Sequence, residues 1–140
     1  MTLQVIQPAT VHDTTAYSYA HAVRMGELIF VSGQVARDKD GSLVGRGDAR
    51  AQTEQVFRNL KAVLEAAGSG MHKVGKLTVF ITKLEYRPVV HEIRSQVFKE
   101  AGHLPASTLA VVASLADPDW LVEIEAIALA GSVEVLPAKV

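Results

Sequence analysis

Residues 121–130 read Leu-Val-Glu-Ile-Glu-Ala-Ile-Ala-Leu-Ala, LVEIEAIALA. In an extended chain, successive side chains point to opposite faces. One face then carries Val122, Ile124, Ala126 and Ala128 and is wholly apolar. The other carries Glu123, Glu125, Ile127 and Leu129: two acids followed by two aliphatics. A strand with one solvated face would alternate apolar and polar along its whole length. This one predicts a sheet whose first face lies under helices. Its second face is still apolar enough to need a cover, yet holds carboxylates.

The flanking segments supply the rest of the sheet. A turn at Ala116-Asp117-Pro118-Asp119 precedes it, and another strand is expected around Thr108 to Leu115. Leu77 to Ile81 (LTVFI) is β-rich and almost unbroken, as in a strand covered on both faces. Leu28 to Val31 (LIFV) predicts a short strand closed by Ser32-Gly33-Gln34. Asp38 to Gly47 (DKDGSLVGRG) is rich in turn formers and reads as an excursion.

Two segments change period. Val56, Phe57, Leu60, Val63, Leu64 and Ala67 fall on one helical face, with Asp48 as N-cap and Gly68 just past the end. Pro88 opens a second helix with the face Val89, Val90, Ile93, Val97 and Phe98, ending near Gly102. The order is strands, helix, strand, helix, strands. It predicts one α+β domain over residues 1–140, a mixed sheet with two helices on one face.

Composition narrows the function classes. Of 140 residues, 49% are hydrophobic and 21% charged, an ordinary globular balance. A net charge of −1 with interspersed signs gives no electrostatic grip on nucleic acid or membrane. Aromatics at 6% are too sparse for base-stacking platforms. No cysteine is present, which removes disulfides, thiolate metal sites and a Cys nucleophile. No apolar run approaches the roughly 20 residues that span a bilayer. The start, MTLQVIQPATVHD, lacks a basic n-region and an apolar core. The chain reads as cytoplasmic. The natural cover for its open sheet face is another copy of itself. An acid at such a contact is costly unless paired or used. Glu123 and Glu125 are therefore either interface partners or functional groups in an intersubunit cleft.

Four stretches, in order, resemble the RidA (YjgF-like) family of reactive-intermediate and imine deaminases. They are YAHAV (Tyr19 to Val23), LIFVSGQ (Leu28 to Gln34), AQTEQVFRNLKAVLEAAG (Ala51 to Gly68) and VEIEAIA (Val122 to Ala128). KLTVFIT (Lys76 to Thr82) and PAST (Pro105 to Thr108) are similar to family segments too. The resemblance covers nearly the whole chain from about Ala16 onward. It implies a chorismate-mutase-like fold and a homotrimer whose sheets line a central barrel, with three small-molecule clefts between subunits. It implies hydrolysis of reactive enamines and imines to keto compounds and ammonia, with no metal or organic cofactor.

Carried over residue by residue, the resemblance makes Glu123 the acid that orients the attacking water and Tyr19 the cleft tyrosine, with Tyr17 close by. Ser32 and Gly33 match the Ser-Gly of FVSGQ, where glycine permits close backbone approach to a ligand. Ser107 and Thr108 match the segment before the penultimate strand, and His91 stands where many members have Asn. A His there can serve as acid or base, or lie idle on a helix surface.

One departure stands out. Typical deaminases read Pro-Ala-Arg-Ser, and the Arg clamps the substrate carboxylate. Aligned on Ser107 and Thr108, that position holds Ala106, which has neither donor nor charge. His21, Arg94 and His103 are the candidate replacements; their spacing matches no compact metal-ligand motif. Without the Arg, two alternatives stand beside the deaminase. One is a sibling enzyme acting on another pathway intermediate. The other is a trimer that binds metabolites or protects proteins.

Overall fold

The computed structural model describes residues 1–139. The predicted first helix is α1, Ala49–Ala66. The Asp48 carboxylate accepts the Ala51 N–H at 3.0 Å, satisfying one orphan donor of the first turn. Past the last turn, Gly68 adopts φ +75°, which glycine takes without steric penalty. Helix α2, Arg87–Ala101, has Pro88 in its first turn and stops at Gly102, φ +83°.

Six strands form one sheet: β1 (Leu3–Ile6), β2 (Ala22–Met25), β3 (Leu28–Gln34), β4 (Val74–Ile81), β5 (Ala106–Val111) and β6 (Val122–Leu129). Their spatial order is β1-β2-β3-β6-β4-β5. Only β4 and β5 run parallel, and α2 is the crossover that a parallel pair requires. The α+β class and the mixed sheet with two helices on one face are as expected.

The helix-covered face is a close-packed core. Ile29 and Val31 of β3, Leu77, Val79 and Ile81 of β4, and Val122, Ile124, Ala126 and Ala128 of β6 are all buried there. They pack with Val56, Leu60, Val63 and Leu64 of α1 and Val90 and Ile93 of α2. The opposite face is bare. Leu3, Val5, Met25, Leu28, Phe30 and Leu129 are all exposed, between 39% and 63%.

Some local expectations are corrected. The penultimate strand is Ala106–Val111, not Thr108 to Leu115, because its ladder tracks β4 and ends where β4 does, at Ile81 opposite Val111. Ser32-Gly33-Gln34 does not close its strand: β3 continues through an irregularity to pair Gln34 with Ile124. β4 is covered on one face only, leaving Thr78 and Phe80 half-buried on the other. β1 and β2 were not foreseen.

Candidate functional site

The irregular end of β3 and the first residues of β6 form one wall of an open cleft of about 960 Å³. Glu123 projects there from β6, half-buried on the face away from the helices. Its carboxyl lies flat against Gly33: a Cβ at that position would stand 2.7 Å from Glu123 Cδ and 2.9 Å from Cγ. A side chain there would push the acid aside, so it is by contact rather than by backbone angle that glycine lets Glu123 keep this position. Burial raises the Glu123 pKa above the ordinary carboxylate value, and neighbouring Glu125 raises it further. Such an acid exchanges protons closer to neutrality than a solvated one. Glu125 is exposed, lines the same cleft and joins no ion pair among the described residues.

Tyr19 borders the cleft beside Glu123. Its pKa is raised by burial first and by Glu123 in addition, against an opposing pull from Arg37, so the phenol is a donor at neutral pH. The strand does not hold it; polar staples do. Thr14 Oγ1 donates to the Tyr19 carbonyl at 2.7 Å, and Ser32 Oγ donates to the Ala20 carbonyl at 2.6 Å. The Ser32 hydroxyl hydrogen is thus spent on fixing the tyrosine segment against β3.

Tyr19, Ser32, Gly33 and Glu123 are therefore brought together; His91, Ser107 and Thr108 are not. Ser107 faces the helix side of β5, where Arg94 Nη1 donates to its hydroxyl at 3.1 Å. Arg94 Nη2 donates to His91 Nδ1 at 3.2 Å. Arg94 and Ser107 line a separate hollow of about 490 Å³ with Leu84, Arg87 and Val111. Thr108 pairs with Thr78 on the bare face, and its hydroxyl accepts from Lys76 Nζ at 2.6 Å. Ala106 pairs with Lys76 on that same face.

Two of the candidate cations are taken elsewhere. His21 is buried: its Nε2–H donates to the His12 carbonyl at 2.6 Å, and its Nδ1 accepts from Gln34 Nε2 at 3.2 Å. His103 Nε2–H donates to the Val74 carbonyl at 2.7 Å, its ring edge-on to Phe98. Neither lines the cleft.

The sequence reading missed a cleft cation. Arg37 lines the cleft, three residues past the Ser-Gly-Gln of β3 at the root of the Asp38-to-Gly47 excursion. Its position in the sequence, directly after the motif strand, was the available signal.

The Endoribonuclease L-PSP family model matches residues 10–130. The chain belongs to this family, the RidA (YjgF-like) proteins. The RutC family protein UK114 of Drosophila melanogaster is 42% identical over 116 residues, 83% of this chain and 82% of the relative. A 2-iminobutanoate/2-iminopropanoate deaminase of Dermatophagoides farinae is 32% identical over 109 residues, 78% of this chain and 83% of that protein. The YjgF gene product of E. coli superposes with a TM-score of 0.82 at 31% identity, over 90% of this chain and 98% of that one. E. coli TdcF with bound serine gives 0.81 at 29%, over 91% and 99%. No helix among the described residues is long and apolar enough to cross a membrane.

Proposed function

We propose that the cleft hydrolyses small reactive imines and enamines to keto compounds and ammonia, with Glu123 as acid/base and Tyr19 as donor. The observation that carries this is the half-buried carboxyl of Glu123, raised in pKa and seated on Gly33 beside a protonated phenol. Water adds to the imine carbon: a C–O bond forms while Glu123 takes a water proton and passes it to nitrogen. Glu123 then takes the hydroxyl proton of the carbinolamine and delivers it to nitrogen. The C–N bond breaks, ammonia leaves, and Glu123 ends as it began. The mite relative named as a 2-iminobutanoate/2-iminopropanoate deaminase supports the reaction class.

The working form in this reading is a homotrimer. Its bare apolar faces turn toward one another, and each cleft is completed by His91, Ser107 and Thr108 of a neighbouring copy. Exposed Leu3, Val5, Phe30 and Leu129 on one continuous face support it, because a lone chain would leave them in water.

A semicarbazide competition assay tests the chemistry. An amino-acid oxidase generates 2-iminobutanoate, and the protein is expected to suppress its trapping as semicarbazone. Glu123→Gln should lower that activity by about a hundredfold or more with its melting temperature kept. The active form needs ionised Glu123. Activity is therefore lost as pH falls, and at a higher pH than an ordinary carboxylate would set. Full activity in Glu123→Gln would remove the proposed role.

One observation favours a second reading, a trimer that binds metabolites without turning them over. The motif arginine is absent, and Arg94 of α2 spends its terminal nitrogens on Ser107 and His91 of its own chain.

A further inference from the structure

If the cleft takes an anionic substrate, a cation must meet it, and the family's arginine is missing. Counted from Pro105 rather than from Ser107, Pro-Ala-Arg-Ser would place that arginine on Ser107. In either register this chain has none there. Within a single chain, Arg37 is the only cation among the described residues lining the cleft; Arg94, which a neighbouring copy would bring with His91 and Ser107, is already hydrogen-bonded to both.

The surroundings of Arg37 are built to hold it. Its Nε–H donates to the Gly41 carbonyl at 3.0 Å. Its guanidinium carbon lies 5.7 Å from the centre of the Tyr17 ring, within cation–π range. Its own carbonyl accepts from the buried Asn59 side chain at 2.8 Å, which also donates to the Val35 carbonyl at 3.0 Å, so α1 pins the backbone on either side. Asp38 ties the turn by accepting the N–H groups of Asp40 and Ser42 at 2.9 and 3.0 Å. Gly41 sits at φ +84°, and a Cβ there would come within 2.8 Å of Arg37 Nη2. The excursion thus holds the guanidinium by one hydrogen bond and the open space over Gly41.

What the guanidinium lacks is an anion. Among the described residues no ion pair involves Arg37, and neither terminal nitrogen makes a hydrogen bond within the chain. The field of Arg37 reaches Tyr19, whereas the acidity of Glu123 is set by burial and Glu125 alone. Tyr19 feels both charges. The cation and the acid therefore remain unneutralised in one cleft, with the phenol under the influence of each.

We propose that Arg37 is the anion-binding residue of the cleft. Its two free nitrogens take the carboxylate of a small imino or enamino acid, and of the keto acid it becomes, while the reacting carbon lies toward Glu123. A guanidinium offering two parallel N–H groups matches a carboxylate in geometry as well as charge. The substrate class follows: anionic imines are preferred over neutral ones. This assignment rests on the deaminase reading for its reaction, but not for its anion site.

The test separates the two. Binding of 2-oxobutanoate is measured by titration calorimetry or NMR at low ionic strength on the Glu123→Gln protein, where no turnover intrudes. Butanone, the same ketone without the carboxylate, is the neutral probe. Arg37→Gln should weaken 2-oxobutanoate roughly tenfold to a hundredfold and leave butanone unchanged. Arg37→Lys should recover part of the loss. Gly41→Ala keeps the charge but displaces it, and should weaken the keto acid in the same direction. In the imine assay, Arg37→Gln should raise KM far more than it lowers kcat.

Three results overturn the proposal: no 2-oxobutanoate binding by the parent protein, equal losses for both probes, or a loss on Arg94→Gln with none on Arg37→Gln. Failure of the deaminase reading looks different: Arg37-dependent binding with no imine hydrolysis by the wild-type chain.

Discussion

Ile29 and Phe30 are neighbours in β3 and opposites in the fold. Ile29 is fully buried against the helices, while Phe30, the larger side chain, is 39% exposed on the bare face. The same alternation runs through β6, where Ile124 is buried and Glu125 exposed. One face of the sheet holds the chain together by itself. The other offers apolar area to something outside the chain and carries the acids and the cleft. The first face is therefore set by packing within the chain; in the trimer proposed above, the second is set by the copies that meet it.

Substituting each neighbour in turn separates the two faces by the largest effect. Ile29→Ala removes a side chain with no room to relax and should cost about 3–4 kcal/mol in denaturant unfolding, with the assembled mass kept. Phe30→Glu should do the reverse: light scattering moves to the mass of a single chain while the circular dichroism spectrum stays native. A Phe30→Glu protein that keeps a multimeric mass would mean the bare face is not where copies meet.

How much of this was legible follows from range. Asp48, Gly68, Pro88 and Gly102 mark their helix ends through local chemistry, and each does so in the structure. The two faces of β6 follow from alternation alone. Ser32-Gly33-Gln34 looked like a turn because its residues are turn formers. It stays in β3 because Gln34 finds Ile124 across the sheet and His21 beside it, partners distant in sequence. β1 is only four residues long, and its pairing with β2 settles it, not its composition. In the cleft, Glu123, Gly33, Ser32 and Tyr19 were found through alternation and resemblance together. Arg37 was not, since a loop arginine acquires a direction only from Gly41, Tyr17 and Asn59. His21 and His103 could not be told from cleft histidines because backbone carbonyls of His12 and Val74 claim them.

The helix-covered side also buries polar side chains, and Gln52 clamps two loops there. It is fully buried in α1; its amide donates to the carbonyls of Gly45 at 3.1 Å and Asp119 at 2.9 Å, and its oxygen accepts the Leu121 N–H at 2.9 Å. It thereby ties the excursion after Arg37 to the lead-in of β6. Gln52→Leu leaves three backbone groups without their partner and should cost about 3 kcal/mol in denaturant unfolding. It should also weaken cleft binding although Gln52 touches no ligand, a coupling that Ile29→Ala lacks.

His12 gives the smallest effect and the most specific one. It is buried edge-on against His21, and its Nδ1 has no hydrogen-bond partner among the described residues. Burial lowers its pKa from 6.5 to about 4, helped by His21 and Arg37 and opposed by Asp13 and Asp38. The unfolded chain then binds a proton near pH 6.5 that the folded chain refuses until about pH 4. The neutral ring's contribution is fully present above pH 6.5 and is lost as pH falls through this window. Unfolding free energy should drop by about 2 kcal/mol across it, somewhat below the roughly 3 kcal/mol that the full shift carries. His12→Gln should flatten that slope while leaving the stability at pH 8 within about 1–2 kcal/mol of wild type. Equal slopes in both proteins would move the acid sensitivity to the carboxylates. His12 would then contribute no more to the pH dependence than the helix-covered core beside it.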